Sequence, residues 1–355
     1  MIRTALTELT GISCPVIQAG MGYVAGARLA AAASEAGALG TIAAATLSPA
    51  GLAAAIGKVQ QRTSRPFAVN LRADAPDAAE KAGIIIGAGV PVVSFAQAPR
   101  PELIARLRDA GVVTIASAGT RRHAEKAAAW GADAVIAAGA EAGGHVGPVP
   151  TSLLIPQVAG AVNIPVIAAG GFFDGRGLAA ALAWGAAGIA MGTRFLLTSD
   201  SPVAAAVKQV YLASDVTSGT VVTRRADGVP HRVLRTALTG RLESAGRLTL
   251  LSRAARSASS FRKISGLGWP ALIRQGRELR RGSGLSWAQV LMAANTPVLL
   301  RAAMVDGRPD LGLMSAGQVA GLIEDLPSCA ELMAAVMTQA EDCLARLGGL
   351  VRPSG

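Results

Sequence analysis

The chain has 355 residues, of which 51% are apolar and only 16% are charged. Such an apolar chain can bury a large core, which excludes disorder as the state of most of its length. Aromatic residues make up 3% of the sequence. So few rings argue against the base-stacking surfaces on which proteins bind single-stranded nucleic acid.

The formal charge of +11 is concentrated in one segment. Between Arg224 and Arg281 there are 14 Lys and Arg residues and 3 acidic residues, so this segment alone accounts for the whole net charge. The remaining chain has 20 basic and 20 acidic residues. A local excess of positive charge suggests a polyanionic partner, such as nucleic acid, lipid headgroups or a phosphorylated ligand.

Targeting and metal signals are weak. No uninterrupted apolar run reaches the ~20 residues that a spanning helix needs, and the N-terminus lacks the apolar run and cleavage site of a secretory signal. The three cysteines, Cys14, Cys329 and Cys343, are scattered, and no group of His, Cys, Asp or Glu has metal-ligand spacing. These observations predict a cytoplasmic protein with no membrane partner and no metal site.

Short β-branched runs recur about every 21 to 32 residues along the first 200 positions, each followed by an Ala-rich amphipathic stretch. This is the length of a parallel βα unit, and strands without alternation are typical of sheets buried on both faces. Thr120 and Trp130-Gly131 bound one of the predicted helices. The predicted strand cores are residues 15–18, 40–43, 67–70, 91–95, 112–116, 134–137, 165–168 and 188–191.

Eight such units predict an α/β fold, a (β/α)₈ TIM barrel with a mostly helical C-terminal excursion. A doubly wound open sheet is the alternative, and the lack of a GxGxxG turn after the first strand disfavours it. We divide the chain into a barrel at 1–222, a basic helical cap at 223–287, and helices that return to the barrel at 288–355. Within the last part, residues 288–294 and 316–323 are predicted to be helical.

Glycines follow the last two predicted strands. Gly170-Gly171 and Gly192-Thr193 lie where the loops of a barrel usually bind phosphate, because glycine lets the backbone approach the anion and the helix N-terminus supplies N–H donors. Gly170-Gly171 alone is equally consistent with a tight turn. The pairing with Gly192-Thr193 favours a phosphate site.

Two polar residues end other predicted strands or follow them. His145 is one of 3 histidines, and an imidazole at the catalytic end of a barrel can act as a general acid or base; its alternative role is a structural hydrogen bond. Asn70 closes the third strand, where it either caps the next loop or bonds to the edge of a cofactor ring.

Five short motifs occur together in this chain, at residues 18–21, Asn70, 141–145, 168–171 and 191–195. Their combination resembles the nitronate monooxygenase family of FMN-dependent barrels, and the flavin-containing enoyl-acyl-carrier-protein reductases share the same pattern. The resemblance extends over most of the chain and includes an Ala-Gly-Gln element at 316–318. One difference is that nitronate monooxygenases usually carry Gln at the positions of Ala138 and Ala190.

The resemblance implies bound FMN and a catalytic role for His145, which would face the flavin. The resemblance also implies that the phosphate is surrounded by Gly170, Gly171, Gly192 and Thr193. It further implies that Met21 and Asn70 lie near the flavin ring. The motif glycines Gly20, Gly143 and Gly144 are further expected cofactor contacts.

Four longer segments are similar to one branch of this family, the FMN-dependent oxidoreductases of late bacterial steroid catabolism. These segments are residues 170–182, 191–201, 227–236 and 287–297. That branch acts on a hydroxylated methyl-indanone carboxyl-CoA ester with NAD(H) as redox partner. CoA carries several phosphates, to which the basic segment is complementary in charge. The expected contacts are Arg224, Arg225, Arg232, Arg235, Arg262 and Lys263, with a solvated basic surface as the alternative.

The leading hypothesis is therefore an FMN enzyme that exchanges a hydride between flavin and a carbon–carbon bond of a CoA thioester. Nitronate oxidation comes second and enoyl-thioester reduction third. A barrel that only binds a nucleotide or RNA through its Arg-rich segment is the alternative of a different class, disfavoured because basic residues without rings give little base readout. Nucleic acid is accordingly not an expected partner, and self-association into a homo-oligomer is left open.

Overall fold

A computed structural model describes residues 2–96, 99–245 and 295–350, together with positions 262, 268, 270, 273, 274 and 277. The chain divides into two compact units. We call the first the barrel unit; it comprises Met1–Ala142, Gly147–Pro202 and Ile323–Gly355. The second unit comprises Gly143–Val146 and Val203–Leu322. The chain thus enters the second unit for four residues near position 145 and then returns to the barrel unit.

The predicted barrel is confirmed, and all eight predicted strands are present within a residue or two. Seven neighbouring pairs are parallel ladders, and a parallel bridge between Ile17 and Leu39 joins the first strand to the second. The strands in chain order are Val16–Gln18, Gly40–Ala43, Phe67–Leu71, Val92–Phe95, Val113–Ala118, Ala134–Ala138, Val166–Ala169 and Gly188–Met191.

Aliphatic side chains from around the barrel pack together in its interior. Ile17, Ile115 and Ile167 are at most 2% exposed, and Leu6 and Ile12 from the N-terminal segment join the same cluster. Fully burying one such side chain stabilises the fold by about 1.5–3 kcal/mol. The residues between these core side chains are buried as well, as in Gly40–Ala43 and Val92–Phe95, so these strands are covered on both faces and are apolar without alternation.

Helices connect the strands. Thr120 caps one of them by accepting a hydrogen bond from the His123 backbone N–H, as its sequence position predicts. The C-terminal helix Cys329–Gly348 packs closely on Gly175–Ala183, where a Cβ at Gly175 would lie 2.2 Å from the Val336 carbonyl oxygen. The other helices of the barrel unit are Ala5–Thr10, Ala27–Glu35, Pro49–Gln60, Ala78–Gly87, Pro101–Asp109, Arg121–Ala129, Thr151–Ala159 and Thr193–Leu196, with a 3-10 turn at Ala44–Thr46.

The second unit contains a three-stranded antiparallel sheet that the sequence did not predict. Its central strand, His231–Leu234, pairs with Thr220–Thr223 on one side and with Gly144–His145 on the other. Ala226, Val233 and Leu313 are buried in a small core of this unit. Its described helices are Ala205–Leu212, Ala237–Glu243 and Asn295–Met304.

The predicted helix at 316–323 is wrong in type: residues Gln318–Leu322 form a 3-10 turn. Gly321 lies against the backbone of Val216, where an added Cβ would come within 2.1 Å of the Val216 nitrogen, so a side chain does not fit on that side of the turn. The predicted helix at 288–294 and most of the predicted basic cap lie outside the described residues, so the three-part division of the chain stays a prediction. None of the helices that the structure describes is long and apolar enough to cross a membrane.

Candidate functional site

The glycine turn after the seventh strand adopts a backbone that glycine alone accommodates easily. Gly170 and Gly171 have φ angles of 95° and 85°, in the left-handed region. Among the described residues, the N–H groups of Gly170, Gly171 and Gly192 donate to no acceptor. The seventh and eighth strands are hydrogen-bonded neighbours. Unpaired donors therefore follow two adjacent strands at the carboxyl edge of the barrel.

Glu141 and Thr151 hold the turn in place. The Glu141 carboxylate accepts hydrogen bonds from the Thr151 backbone N–H at 2.9 Å and from its hydroxyl at 2.7 Å. The Thr151 hydroxyl also lies 3.0 Å from the Gly170 carbonyl oxygen. A Cβ at Gly170 would come within about 3 Å of this network. The loops after the sixth and seventh strands are thus fixed to each other.

Residues from the first and third strands have equally specific surroundings. Asn70 donates a hydrogen bond to the Ser94 hydroxyl at 2.9 Å, and a Cβ at Gly20 would lie 2.4 Å from the Asn70 Cβ. A Cβ at Gly192 would lie 3.5 Å from the Met21 sulfur. Thr193 is buried at 8% exposure. The structure therefore brings together Gly20 with Asn70, and Met21 with Gly192.

These residues fit a phosphorylated cofactor. Backbone N–H donors on a glycine turn are the groups that bind phosphate oxygens in many proteins, and the glycines here leave the donors unshielded by side chains. The half-buried Asn70 supplies a polar amide and Met21 an apolar surface, a combination suited to the edge of an aromatic ring.

In the second unit, the short strand Gly144–His145 positions His145. It pairs with His231–Leu234, with His145 opposite His231 and Gly144 opposite Arg232. Gly143 approaches residues 316–317 so closely that a Cβ would lie 2.6 Å from the backbone there. Gly144 has a φ of 79° and nothing within 4 Å of an added Cβ. Gly143 thus serves close backbone packing in this unit.

A buried carboxylate binds the exposed ring of His145. The Asp227 Oδ2 lies 2.9 Å from the His145 Nε2, and Asp227 is 8% exposed whereas the His145 side chain is 51% exposed. The Thr296 hydroxyl donates to the same oxygen at 2.9 Å, and the Val229 backbone N–H donates to Oδ1 at 3.1 Å. Burial alone would raise the pKa of Asp227, but its contacts with His145, His231 and Val229 hold it well below the usual range.

His231 completes the cluster. Its ring centroid lies 4.7 Å from that of His145, with the ring planes at 51°. Its Nε2 lies 2.7 Å from the Ser315 hydroxyl, and its Nδ1 lies 3.9 Å from the Asp227 Oδ2. Ligand-type atoms of the three side chains fall within 4.8 Å of one another. Although a cation could bridge such atoms, the His145–Asp227 distance is that of a hydrogen bond.

The predicted phosphate-binding cations have mixed surroundings. Arg224 and Arg235 are exposed, whereas Arg225, Arg232 and Arg262 are half-buried. The Arg232 guanidinium donates to the Thr220 hydroxyl at 2.9 Å, and Arg235 donates to the Ser218 carbonyl oxygen at 3.0 Å. Lys263 lies outside the described residues.

Sequence reasoning missed Asp227, Thr296 and Ser315. Asp227 lies 82 positions from His145, so no local pattern connects them. The one available signal was the spacing of Asp227 and His231, four residues apart across an Asp-Gly turn that follows a β-branched run at 221–223.

Comparison with known proteins assigns the barrel to a class and then to a family. FabK from Thermotoga maritima superimposes with a TM-score of 0.80 at 33% identity, over 99% of this chain and 100% of its own. A nitroalkane oxidase from Streptomyces ansochromogenes does so with a TM-score of 0.75 at 30% identity, over 97% of this chain and 100% of its own. Both of these proteins are TIM barrels, so the fold of this chain is of the TIM-barrel class.

The sequence matches the nitronate monooxygenase family over residues 3–339, and the chain therefore belongs to that family of oxidoreductases. A Mycobacterium tuberculosis protein named (3aS,4S,5R,7aS)-5-hydroxy-7a-methyl-1-oxo-octahydro-1H-indene-4-carboxyl-CoA dehydrogenase is 56% identical over 353 residues, covering 99% of both chains. The Rhodococcus jostii protein of the same name is 52% identical, over 98% of this chain and 99% of its own.

Proposed function

We propose that the chain is an FMN-dependent dehydrogenase of a bicyclic, steroid-derived CoA thioester, with NAD(H) as its redox partner. The observation that carries the proposal is the identity of 56% across 99% of both chains to a dehydrogenase named for such a substrate. Identity at this level over the full length includes both the barrel unit and the second unit. The resemblance to the steroid-catabolic branch supports the same substrate class.

The glycine turns are the proposed cofactor contacts. The free N–H groups of Gly170, Gly171 and Gly192 would bind the FMN phosphate, with Thr193 beside them. Gly20, Met21 and Asn70 would contact the flavin ring, and Gly143 and Gly144 belong to the same proposed set. When bound, FMN would accept the hydride removed from the substrate, which carries the two electrons of the oxidation.

The proposed role of His145 is proton transfer. A thioester carbonyl acidifies the α-hydrogen of the acyl group, so desaturation of the α–β bond removes the α-hydrogen as a proton and the β-hydrogen as a hydride. The imidazole of His145 is half exposed and anchored through one nitrogen, which leaves the other nitrogen to accept the α-proton. NAD⁺ would then accept a hydride, that is, the two electrons with one hydrogen, and become NADH.

The CoA moiety would bind through the basic segment. Arg224 is exposed, and the described part of the chain offers its side chain no acidic partner. Arg225, Arg232, Arg235, Arg262 and Lys263 are further proposed contacts, because guanidinium groups bind phosphate through paired hydrogen bonds.

Nitronate oxidation is the second candidate, favoured by the family match over residues 3–339. It would use the same flavin contacts and the same base. Ala138 and Ala190 stand where nitronate monooxygenases usually carry Gln, so two amides of that active site are missing from this chain.

The decisive experiment is anaerobic reduction of the purified yellow protein. We expect the FMN absorption to bleach on addition of the hydroxylated methyl-indanone carboxyl-CoA ester and to recover on addition of NAD⁺. Bleaching by nitroalkanes or nitronates but by no CoA ester would transfer the assignment to nitronate oxidation. Recovery only with oxygen would remove NAD(H) from the proposal.

A further inference from the structure

The exposed His145 ring has two nitrogens, and the structure distinguishes between them. An ionised carboxylate can only accept hydrogen bonds. The low pKa of Asp227 keeps it ionised at neutral pH, and its Oδ2 lies 2.9 Å from the His145 Nε2. The Nε2 atom must therefore carry the hydrogen. In the neutral ring, this leaves the lone pair on Nδ1.

Asp227 is itself held rigidly. Three donors converge on its two oxygens: the His145 ring, the Thr296 hydroxyl at 2.9 Å and the Val229 N–H at 3.1 Å. Asp227 is 7% exposed as a residue, so little water competes for those oxygens. A fixed acceptor of this kind determines both the orientation and the tautomer of the ring that donates to it.

His231 limits the remaining freedom of the His145 ring. It is 2% exposed, and its contact with Ser315 at 2.7 Å anchors it. Its ring centroid lies 4.7 Å from that of His145, so rotation of the exposed ring is restricted on that side. His231 and Asp227 are the titratable groups that face His145 in the described second unit, and Arg232 is the next residue along the same strand.

We propose that Asp227 is the positioning residue for proton transfer at His145, fixing the tautomer in which Nδ1 is the nitrogen that accepts the substrate proton. The negative charge of Asp227 also stabilises the imidazolium that forms after the transfer. His231 and Thr296 act indirectly: His231 packs against the His145 ring, and Thr296 donates a hydrogen bond to Asp227. The inference rests on the proposed function for the role of Nδ1, but the tautomer itself is independent of any substrate.

The first test is an NMR measurement on the wild-type protein that does not depend on activity. The chain has 3 histidines, so two-bond nitrogen–proton correlations of labelled histidine can be assigned by removing His123 and His231 in turn. We expect the neutral His145 ring to carry its hydrogen on Nε2. A hydrogen on Nδ1 in the wild-type protein would overturn the proposal.

The second test is Asp227→Asn. The side-chain amide can donate to the His145 Nε2, which reverses the tautomer, and it removes the negative charge. We expect a fall in kcat of roughly 10–10³-fold and a majority Nδ1–H tautomer. FMN content and KM should change little.

Asp215→Asn is the matched control. Asp215 is an exposed carboxylate of the same unit, and its Oδ1 accepts hydrogen bonds from the N–H groups of Thr217 and Ser218 at 2.9 and 2.8 Å without contacting a histidine. We expect it to leave the tautomer and kcat unchanged. Should Asp227→Asn fold poorly, Thr296→Val removes one donor to Asp227 and is expected to lower kcat by a few-fold, with KM unchanged.

A double mutant separates positioning from a general structural effect. In the His145→Ala background, Asp227→Asn should lower kcat almost no further, because Asp227 acts only through His145. Additive losses, or Asp227→Asn with wild-type kcat and tautomer, would refute the proposal. If the wild-type protein turns over no CoA ester while the Nε2–H tautomer is found, the proposed function fails and the assignment of the tautomer stands.

Discussion

The two units differ in the kind of group they contribute. In the barrel unit, the candidate groups include backbone N–H groups on glycine turns that directly follow buried strands. In the second unit, they are titratable side chains, His145, Asp227 and His231, which come from two separate segments of chain. A side chain added at the glycine turns would shield the N–H donors, whereas the side-chain cluster depends on pairs that are distant in sequence. Mutations at the glycine turns of the barrel unit should therefore weaken FMN binding, whereas mutations of the side-chain cluster in the second unit should lower kcat.

The largest expected effect tests the second unit. His145→Ala should retain FMN and lower kcat by roughly 10²–10⁴-fold, because it removes the proposed proton acceptor. Steady-state kinetics with the CoA ester measures the loss, and the flavin absorption measures occupancy. His123→Ala, in an exposed position on the helix Arg121–Ala129, is the matched control and should be neutral. A near-normal kcat for His145→Ala would reduce His145 to a structural residue.

The next effect tests the barrel unit. Gly171→Val places a side chain beside the proposed phosphate contacts and should weaken FMN binding by at least about tenfold, or roughly 1.4 kcal/mol, as followed by flavin fluorescence on titration. Gly89→Val is the control for backbone strain, since Gly89 has a φ of 67° and open space around an added Cβ. It should lose some stability and no FMN. Full occupancy in Gly171→Val would exclude Gly171 from the phosphate site.

A smaller effect is expected from the basic segment. Arg224→Glu should raise KM for the CoA ester several-fold, and more so at low salt, because exposed charges interact through a screened potential. Reduction of FMN by NADH should be unchanged. Arg122→Glu makes the same charge change at an exposed barrel position and should leave KM unaltered. Equal KM values for the wild type and Arg224→Glu at every salt concentration would remove Arg224 from the CoA contacts.

The smallest expected effect concerns stability and pH. Because the folded-state pKa of Asp227 is lowered, its contribution is fully present above the unfolded-state pKa of about 4 and is lost as the pH falls below it. Urea unfolding should show wild type more stable than Asp227→Asn by about 1–3 kcal/mol at pH 7, with a smaller gap at pH 3. A gap that widens on acidification would contradict the ionised state of Asp227.

Several features of the barrel unit could be predicted from sequence because they depend on neighbouring residues. Buried parallel strands require continuous apolar runs, as at Val166–Ala169, and the turn that follows requires glycine. A sequence window shows both. The same window predicted a regular helix at residues 316–323, where Gln318–Leu322 form a 3-10 turn and Gly321 packs against the distant residue Val216. A window along the sequence does not contain that contact.

By itself, the sequence determined the eight barrel strands, the glycine turns and the identity of His145 as a candidate base. Only the tertiary structure decided what orients that base. Asp227, Thr296 and Ser315 meet the two histidines because a four-residue segment around position 145 joins an antiparallel sheet built from residues beyond 220. Strand pairing across 82 positions leaves no periodic signal along the chain, since hydrogen bonds between backbones constrain side-chain identity only weakly.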